Sequence, residues 1–333
     1  MTAYTHDAQV DRAAAHDAAA RSRRLSGLGF ALLSAASFGL SGSLAKGLLD
    51  AGWTAGAAVT ARILLAAAVL LIPSILALRG RWGLLAKNWK LLVAYGAFAV
   101  AGCQLAFFNA VGRMDVGVAL LIEFTSPVAV IGWMWFRHQQ RPGRLTLVGA
   151  LLAAMGLVLV LDLISGADVD SVGVLWALGA MAGAAVYWVL SADESNGLPP
   201  IVLAGGGLLA GGLILLAAGL VGIVPFAAPL TDVTFVDAVV PWWVPIIGLG
   251  VVTAALAYVL GIAAGRRLGS RLASFMGLME VVAALVFAWL LLGQTPGPIQ
   301  LAGGALILLG VVVVKSGERV TSEEPVEPLQ SRA

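Results

Sequence analysis

The chain is a succession of long apolar stretches separated by short polar segments. Each stretch approaches the roughly 20 apolar residues that a helix needs to cross the hydrocarbon core of a bilayer. The segments between them carry Gly, Pro, Asp and Asn, the residue types of turns. The pattern predicts ten membrane-spanning helices, named spans one to ten in chain order: Gly27–Leu48, Ala55–Leu78, Leu91–Val111, Val116–Phe136, Leu145–Leu163, Val174–Leu190, Ile201–Ile223, Trp242–Ala264, Leu272–Leu292 and Ile299–Val314.

Composition leads to the same fold class. Of the 333 residues, 60% are hydrophobic and only 11% are charged, whereas a soluble domain carries roughly 25% charge. The polar surface is too small for a water-soluble globule, so we predict an all-α integral membrane protein. Residues 1–24 are polar and Ala-rich, and residues 317–333 are polar too. We expect the first segment to be a mobile tail and both to lie in the cytoplasm.

One stretch of the chain occurs twice. The first copy, Ala119 to Val160, reads ALLIEFTSPVAVIGWMWFRHQQRPGRLTLVGALLAAMGLVLV. The second, from Ala273, reads ASFMGLMEVVAALVFAWLLLGQTPGPIQLAGGALILLGVVVV, so equivalent residues lie 154 positions apart. The first spans of the two units align at an offset of 146, with Ala31 on Ala177. We infer a duplicated unit, because the copies share distinctive positions: Trp135/Trp289, Gln140/Gln294, Pro142/Pro296, Gly143/Gly297, Gly149/Gly303 and Gly156/Gly310.

Charge predicts how the chain lies in the membrane. Cytoplasmic loops are rich in Lys and Arg, and here the basic residues cluster after spans two, four, eight and ten. The opposite loops carry mainly Asp. We therefore expect a multi-pass protein of the plasma or inner membrane with both termini in the cytoplasm. Because each unit has five spans, an odd number, the second unit must enter inverted, as in many secondary transporters.

These features resemble a known family. Two five-span units, each closing with a Pro-containing turn and a Gly-rich last helix, look like the EamA type of the drug/metabolite transporter superfamily. The units would be residues 25–163 and 173–316. Four segments are similar to the inner-membrane threonine/homoserine exporters of that superfamily: Gly42–Lys46, Ala61-Arg62, Glu123–Val130 and Met279–Leu301. That branch usually has Glu-Pro at Glu280-Val281 and Glu at Gln294. The resemblance implies a proton-driven exporter of amino acids or related small metabolites.

Three ionisable residues lie well inside the spans, where such groups are costly and default to function: Arg62, Glu123 and Glu280. Glu123 shares a helical face with Ser126 and Pro127, and Thr125 is nearby. Pro127 cannot donate to the carbonyl of residue 123, so we predict a kink in span four that suits a midplane substrate site. The alternative is that Glu123 pairs with Arg62 and locks spans two and four together.

Glu280 has no basic neighbour in its own span. Apolar surroundings favour the neutral form of a carboxyl, so Glu280 can carry a proton near neutral pH. We predict that it takes the exchanged proton; the alternative is a neutral Glu that only bonds a backbone carbonyl. Because Val281 follows it, span nine should bend less than span four, or bend at Gly277.

Further polar groups are weaker signals. Gln104, Tyr187 and Tyr258 are candidates for the substrate site, although each residue type also serves in interhelical hydrogen bonds or at the interface. Arg62 could contact an anionic group instead of Glu123. The Gly-rich faces, such as Gly205–Gly207 and Gly179-x3-Gly183, let helices approach closely within the bundle or in a homodimer.

Three function classes compete: a secondary exporter, an integral membrane enzyme and a structural or channel-like bundle. The chain has one cysteine, Cys103, so it has neither an internal disulfide nor a cysteine metal cluster. It has no P-loop and no clustered His, Cys and carboxylate motif near the membrane surface, which argues against an enzyme. Two exchangeable halves argue against a passive bundle. We expect a small-molecule substrate and the lipid bilayer as partners, with no cofactor, no metal and no nucleic acid.

Overall fold

The computed structural model describes residues 3–126, 128–129, 143–160, 170–191, 195–268, 276 and 278–317. Each of the ten predicted spans contains helix within this part of the chain. Six of the helices are long and apolar enough to cross a membrane. The helical ranges are Ala3–Asp50, Ala55–Leu78, Gly83–Lys87, Trp89–Val111, Val116–Glu123, Arg144–Val160, Ser171–Ser191, Pro200–Leu220, Trp243–Ile247 with Gly248–Leu256 and Ala257–Leu268, Met279–Leu292, and Pro298–Gly317.

Two segments differ from the sequence prediction. Residues 3–24, expected to be a mobile tail, continue the helix of span one, in keeping with the high helix propensity of their many Ala residues. Between spans seven and eight the chain forms a two-stranded antiparallel hairpin, Val233–Phe235 (β1) with Ala238–Val240 (β2), which the apolar pattern did not predict. The β-branched residues of the two strands favour this geometry. Residues 318–333 lie outside the described part of the chain.

The contact between spans five and ten reveals how the two units are related. A Cβ atom added at Gly156 would lie 2.6 Å from the carbonyl oxygen of Gly303, and one added at Gly310 would lie 2.6 Å from that of Gly149. The two spans therefore run antiparallel with their backbones in contact. Gly149 is equivalent to Gly303, and Gly156 to Gly310, so a twofold operation exchanges the two contacts. This is the geometry of an inverted repeat.

The remaining packing obeys the same exchange. Span one packs against spans eight and nine, and its equivalent, span six, packs against spans three and four. Span two packs against span seven. Spans three and eight each contain a π-helical stretch, Tyr95–Gly102 and Gly248–Leu256, that begins at nearly equivalent positions. Local helix geometry, as well as topology, is thus duplicated.

Spans four and nine, which pack on each other, are interrupted near their middles. The helix of span four ends at Glu123, and Phe124 and Thr125 form a turn in which the Thr125 amide donates to the Ile122 carbonyl at 3.1 Å. In span nine the described helix begins at Met279. Pro127 and Gly277, where we predicted bends, lie outside the described residues.

One edge of the bundle gathers polar loop residues. The Arg113 guanidinium lies 3.4 Å from the Asp170 carboxylate, which joins the loop before span four to the start of span six. The Gly173 amide donates to Asp170 at 2.9 Å, and this bond, with Arg113, lowers the pKa of Asp170 below its usual value. The hairpin lies at the same end of the bundle, because the Val236 amide donates to the Leu291 carbonyl at the end of span nine.

Candidate functional site

A central cavity of about 250 Å³ lies between the two repeats. It is lined by spans one, two, three, four, six, eight, nine and ten. The structure brings seven of the predicted site residues together on its wall, although they come from six different spans: Arg62, Gln104, Glu123, Ser126, Tyr187, Tyr258 and Glu280.

The cavity lies on the pseudo-twofold axis. Much of its lining consists of residue pairs that the repeat makes equivalent, at the offset of 146 for spans one and six and 154 for the later spans. These pairs are Phe38/Ala184, Ser41/Tyr187, Gln104/Tyr258, Phe124/Leu278 and Ser126/Glu280. A residue that faces the axis in one half places its counterpart there as well. The chemistry of the two halves nevertheless differs at most of these positions, so the site is symmetric in position and asymmetric in charge.

Glu123 occupies the last helical position before the turn in span four. Its carboxylate oxygen Oε1 lies 3.7 Å from the Cys103 sulfur of span three. Ser126 is buried and lines the cavity, three residues beyond Glu123. Thr125, also predicted as a substrate contact, is absent from the described cavity lining: its hydroxyl donates to the Ile122 carbonyl at 2.7 Å and contacts the Met181 sulfur at 3.1 Å. Thr125 thus fixes the turn that presents Glu123.

Arg62 is buried, with 5% of its surface exposed. Its Nη2 donates to the Thr253 carbonyl, in the π-helical stretch of span eight, at 3.3 Å, and its guanidinium lies 5.6 Å from the centre of the Phe108 ring. The ion pairs formed by the described side chains are Lys46–Asp50 and Arg113–Asp170. The direct Arg62–Glu123 ion pair that we considered from the sequence is therefore wrong for this conformation, because the guanidinium is held on span eight instead.

Glu280 lies in the first turn of the span nine helix, where the partial positive charge of the helix end favours an acid. Span one comes very close at this point: a Cβ atom added at Gly39 would lie 2.8 Å from the Glu280 carbonyl oxygen. The two cavity acids thus occupy opposite helix ends, since Glu123 stands at the C-terminal end of its helix. An ammonium group near Glu123 would also meet the partial negative charge of that end.

The rest of the wall is aromatic or carries polar atoms without a partner. Phe38 and Tyr258 pack edge to face with ring centres 5.4 Å apart, and Phe107 also lines the cavity. Among the described side chains, four buried polar atoms lack a hydrogen bond: Ser41 Oγ, Ser43 Oγ, Arg62 Nε and Gln104 Oε1. Of these residues, Ser41, Arg62 and Gln104 line the cavity. Such atoms are costly unless a ligand or water completes them.

Sequence reasoning did not name several residues of this wall as site residues, Phe38, Cys103 and Phe107 among them. The repeat itself held a signal for one of them, because Phe38 is equivalent to Ala184 on the face of span six that also carries Tyr187. Cys103 was considered only as a thiol for disulfides or metals. Among the described residues, no group of three or more His, Cys, Asp or Glu side chains is arranged to hold a metal ion.

Comparison with known proteins identifies the family of the chain. The EamA-like transporter family matches residues 25–162 and 171–316. The chain belongs to the EamA-like transporter family. The threonine/homoserine exporter RhtA of Escherichia coli (strain K12) is 31% identical over 237 residues, which cover 69% of this chain and 71% of RhtA.

Two further proteins are similar to this EamA-like chain. The inner membrane transporter YicL of Salmonella typhimurium (strain LT2) is 25% identical over 240 residues, covering 70% of this chain and 76% of YicL. One crystal structure of a protein superposes with a TM-score of 0.55 at 20% identity, over 91% of this chain and 99% of its own. That likeness supports the fold. The chain is therefore a multi-pass helical membrane transporter of the EamA-like family.

Proposed function

We propose that this EamA-like transporter is a proton-coupled exporter of amino acids or related small metabolites that works by alternating access, and that it catalyses no chemical reaction. The single observation that carries the proposal is the central cavity, in which two carboxylates and one guanidinium share a wall with aromatic rings. The 31% sequence identity with RhtA, which is a threonine/homoserine exporter, supports the same substrate class.

An amino acid is a zwitterion, and the cavity offers a partner to each end of it. We assign the ammonium group to Glu123, with Ser126 beside it, because a carboxylate at the C-terminal end of a helix favours a cation. The carboxylate of the substrate would bind Arg62, whose Nε is buried without a partner. Gln104, Tyr187 and Tyr258 would contact the side chain of the substrate. Arg62 must then leave the Thr253 carbonyl, at least in part, when substrate enters.

Glu280 is left to take the exchanged proton. It lies in the same cavity but on the opposite repeat from Glu123, so its charge acts on the substrate and on Arg62 without a direct contact being required. Export would follow if Glu280 gains a proton from outside once the substrate has left there, and then releases that proton inside. The inverted repeat supports such a cycle, because exchanging the conformations of its halves opens the cavity alternately to each side.

We place the protein in the cytoplasmic, or inner, membrane with both termini in the cytoplasm. The distribution of Lys and Arg supports this orientation, and the similar protein YicL is described as an inner membrane transporter. The loop end that joins Arg113, Asp170 and the β1–β2 hairpin would then face outwards. The Gly-rich faces would allow two copies to pack as a homodimer.

A broad-specificity drug exporter is the second candidate. The aromatic and apolar part of the wall favours it, because such walls bind many unrelated apolar ligands. The volume favours the amino acid, since about 250 Å³ is below the range of roughly 300–1,000 Å³ typical of sites for drug-sized ligands.

Uptake into proteoliposomes tests both candidates. Purified protein is reconstituted, and entry of labelled threonine, homoserine and a panel of other amino acids is measured with and without an imposed pH gradient. We expect saturable uptake that the gradient accelerates and that a protonophore abolishes. Uptake of cationic dyes, undiminished by excess amino acids, would favour the drug exporter. Failure to move any of these compounds would contradict the proposal.

A further inference from the structure

The lone cysteine of the chain touches one of the two cavity acids. The Cys103 sulfur lies 3.7 Å from Glu123 Oε1 and 3.4 Å from the Ala180 carbonyl oxygen. Cys103 is 7% exposed, and it lines the cavity together with Glu123. A thiol is a weak donor with one hydrogen, and a carboxylate and a carbonyl are the acceptors within its reach. The sulfur therefore lies between the Glu123 carboxylate of span four and the backbone of span six, and its single hydrogen is shared between these two acceptors.

Two glycines of span six make this contact possible. A Cβ atom added at Gly183 would lie 2.6 Å from the Cβ atom of Cys103, and one added at Gly179 would lie 3.4 Å from that of Ala106. The Gly179-x3-Gly183 face thus lets spans three and six approach until their backbones nearly touch. Close packing on both sides leaves the Cys103 side chain little freedom, so its sulfur is a fixed point against which the longer Glu123 side chain can be oriented.

A second bond between two spans lies at the equivalent place in the bundle. The Ser34 hydroxyl donates to the Ala257 carbonyl at 2.8 Å. Ser34 is equivalent to Ala180, and Ala257 is equivalent to Cys103, so the two bonds join equivalent positions of equivalent span pairs. Donor and acceptor are exchanged between them: Cys103 donates from span three to span six, and Ser34 donates from span one, the counterpart of span six, to span eight. Only the Cys103 bond has a carboxylate beside it among the described contacts. Ser34 is therefore an internal control that separates the helix-joining role from any effect on Glu123.

We propose that Cys103 is a positioning residue that orients the Glu123 carboxylate towards the substrate's ammonium group. The inference rests on the proposed function, because it assumes that Glu123 binds the substrate. A free Glu side chain populates several rotamers, and fixing one of them before binding lowers the entropic cost of the bound state. Loss of the thiol should therefore weaken substrate binding more than it slows the transport step.

Three variants of the full-length protein in proteoliposomes test the proposal. We expect Cys103→Ala to raise the substrate concentration at half-maximal uptake about fivefold, the effect of losing one hydrogen bond of ordinary strength, since a thiol is a weak donor, with little change in the maximal rate. Cys103→Ser keeps a donor at this position and should restore the affinity. Ser34→Ala removes the equivalent helix-joining bond and should leave the affinity unchanged. Equal affinities for Cys103→Ala and Ser34→Ala, or a Cys103→Ser variant as weak as Cys103→Ala, would overturn the proposal.

A second measurement needs neither transport nor a variant at Cys103. Because the chain has a single cysteine, the alkylation of the detergent-purified protein by N-ethylmaleimide reports on Cys103 alone. The thiolate is the reactive form, and a neighbouring carboxylate opposes its formation. Glu123→Gln should therefore react several-fold faster than the wild type, whereas Glu280→Gln should change the rate less.

The two measurements fail separately. Equal alkylation rates for Glu123→Gln and the wild type would show that the thiol and the carboxylate do not interact, and would overturn the inference whatever the transport assay gives. If the wild type moves no amino acid while alkylation still responds to Glu123, the proposed function fails, the positioning role fails with it, and the contact alone stands.

Discussion

At the scale of single residues, the cavity departs from the symmetry of the backbone that builds it. Glu280 is equivalent to Ser126, and Gln104 to Tyr258, so equivalent positions reach the axis with different chemistry. A strictly symmetric site would face a symmetric ligand equally from both sides. An amino acid, the substrate that we propose, has a cationic and an anionic end, and a wall whose acids stand at opposite helix ends would distinguish them.

The first prediction at this scale concerns Glu280. Glu280→Gln keeps the size and hydrogen-bonding capacity of the side chain but removes the titratable group. We expect uptake driven by a pH gradient to fall to background while threonine binding to the detergent-purified protein is retained. Parallel uptake and isothermal titration measurements check this, and gradient-driven transport at the wild-type rate would show that the proton is carried elsewhere.

Glu123 gives the opposite expectation. Glu123→Gln removes the charge that we assign to the ammonium group, and a hydrogen bond to a charged group contributes about 1.5–3 kcal/mol. The affinity for substrate should therefore fall by at least about tenfold. Isothermal titration of the purified variant measures the affinity, with the melting temperature as a control for folding. Unchanged affinity in a folded variant would remove Glu123 from the substrate site.

At the scale of elements, closely packed helices and interrupted helices occupy different parts of the bundle. Spans five and ten form a rigid pair through their glycines, whereas spans four and nine are broken beside the acids. Spans three and eight carry π-helical stretches, which are frequent at functional sites. Ala99 in one stretch lines the cavity, and Thr253 in the other accepts the Arg62 hydrogen bond. Irregular elements thus lie at the cavity alongside regular helices such as spans one and six.

A leucine at Gly156 tests the rigid pair. Its side chain would have to displace the backbone of span ten, because even a Cβ atom there lies 2.6 Å from the Gly303 oxygen. We expect Gly156→Leu to destabilise the protein by roughly 1–3 kcal/mol or more and to lower its melting temperature in detergent. Gly29→Leu is the matched control, since a Cβ atom at Gly29 meets nothing within 4 Å. Equal melting temperatures for the two variants would contradict the close contact.

Substrate should also change the π-helical stretch of span eight. If the substrate's carboxylate takes Arg62, the Thr253 carbonyl loses a donor and the hydrogen bonds of Gly248–Leu256 rearrange. We expect hydrogen–deuterium exchange in this stretch to change when saturating threonine is added. Exchange in Arg144–Val160, which belongs to the rigid pair, serves as the reference and should stay constant. No difference between the two segments would argue that Arg62 remains on Thr253.

At the scale of the whole molecule, the position of one terminus fixes the direction in which all ten spans cross the membrane. If one terminus is cytoplasmic, so is the other, and the β1–β2 hairpin must lie outside. The charge of individual loops supports this orientation, although the contacts within the bundle would be the same if the whole molecule were turned over.

Reporter fusions decide the orientation. A fluorescent protein that folds only in the cytoplasm, fused after Val314, should be bright, and alkaline phosphatase at the same point should be inactive. Phosphatase inserted after Thr231, before the hairpin, should be active. The reverse pattern at both sites would place the termini outside and would contradict the orientation we propose.

The sequence by itself determined the membrane-spanning class, the ten helices and the duplication, because each depends on local apolar length or on a pattern that recurs at a fixed spacing. It also identified Arg62, Glu123 and Glu280 as candidates, since an ionisable group in an apolar span is conspicuous without any structure. Only the tertiary structure decided that Arg62 bonds the Thr253 carbonyl rather than Glu123. It alone placed Cys103 against Glu123 and the Thr125 hydroxyl on the Ile122 carbonyl. The physical reason is that the roughly 3.6-residue period of a helix sets which face of its span each residue occupies. The residue it meets across that face depends on which spans pack together and on how closely their glycines let them approach.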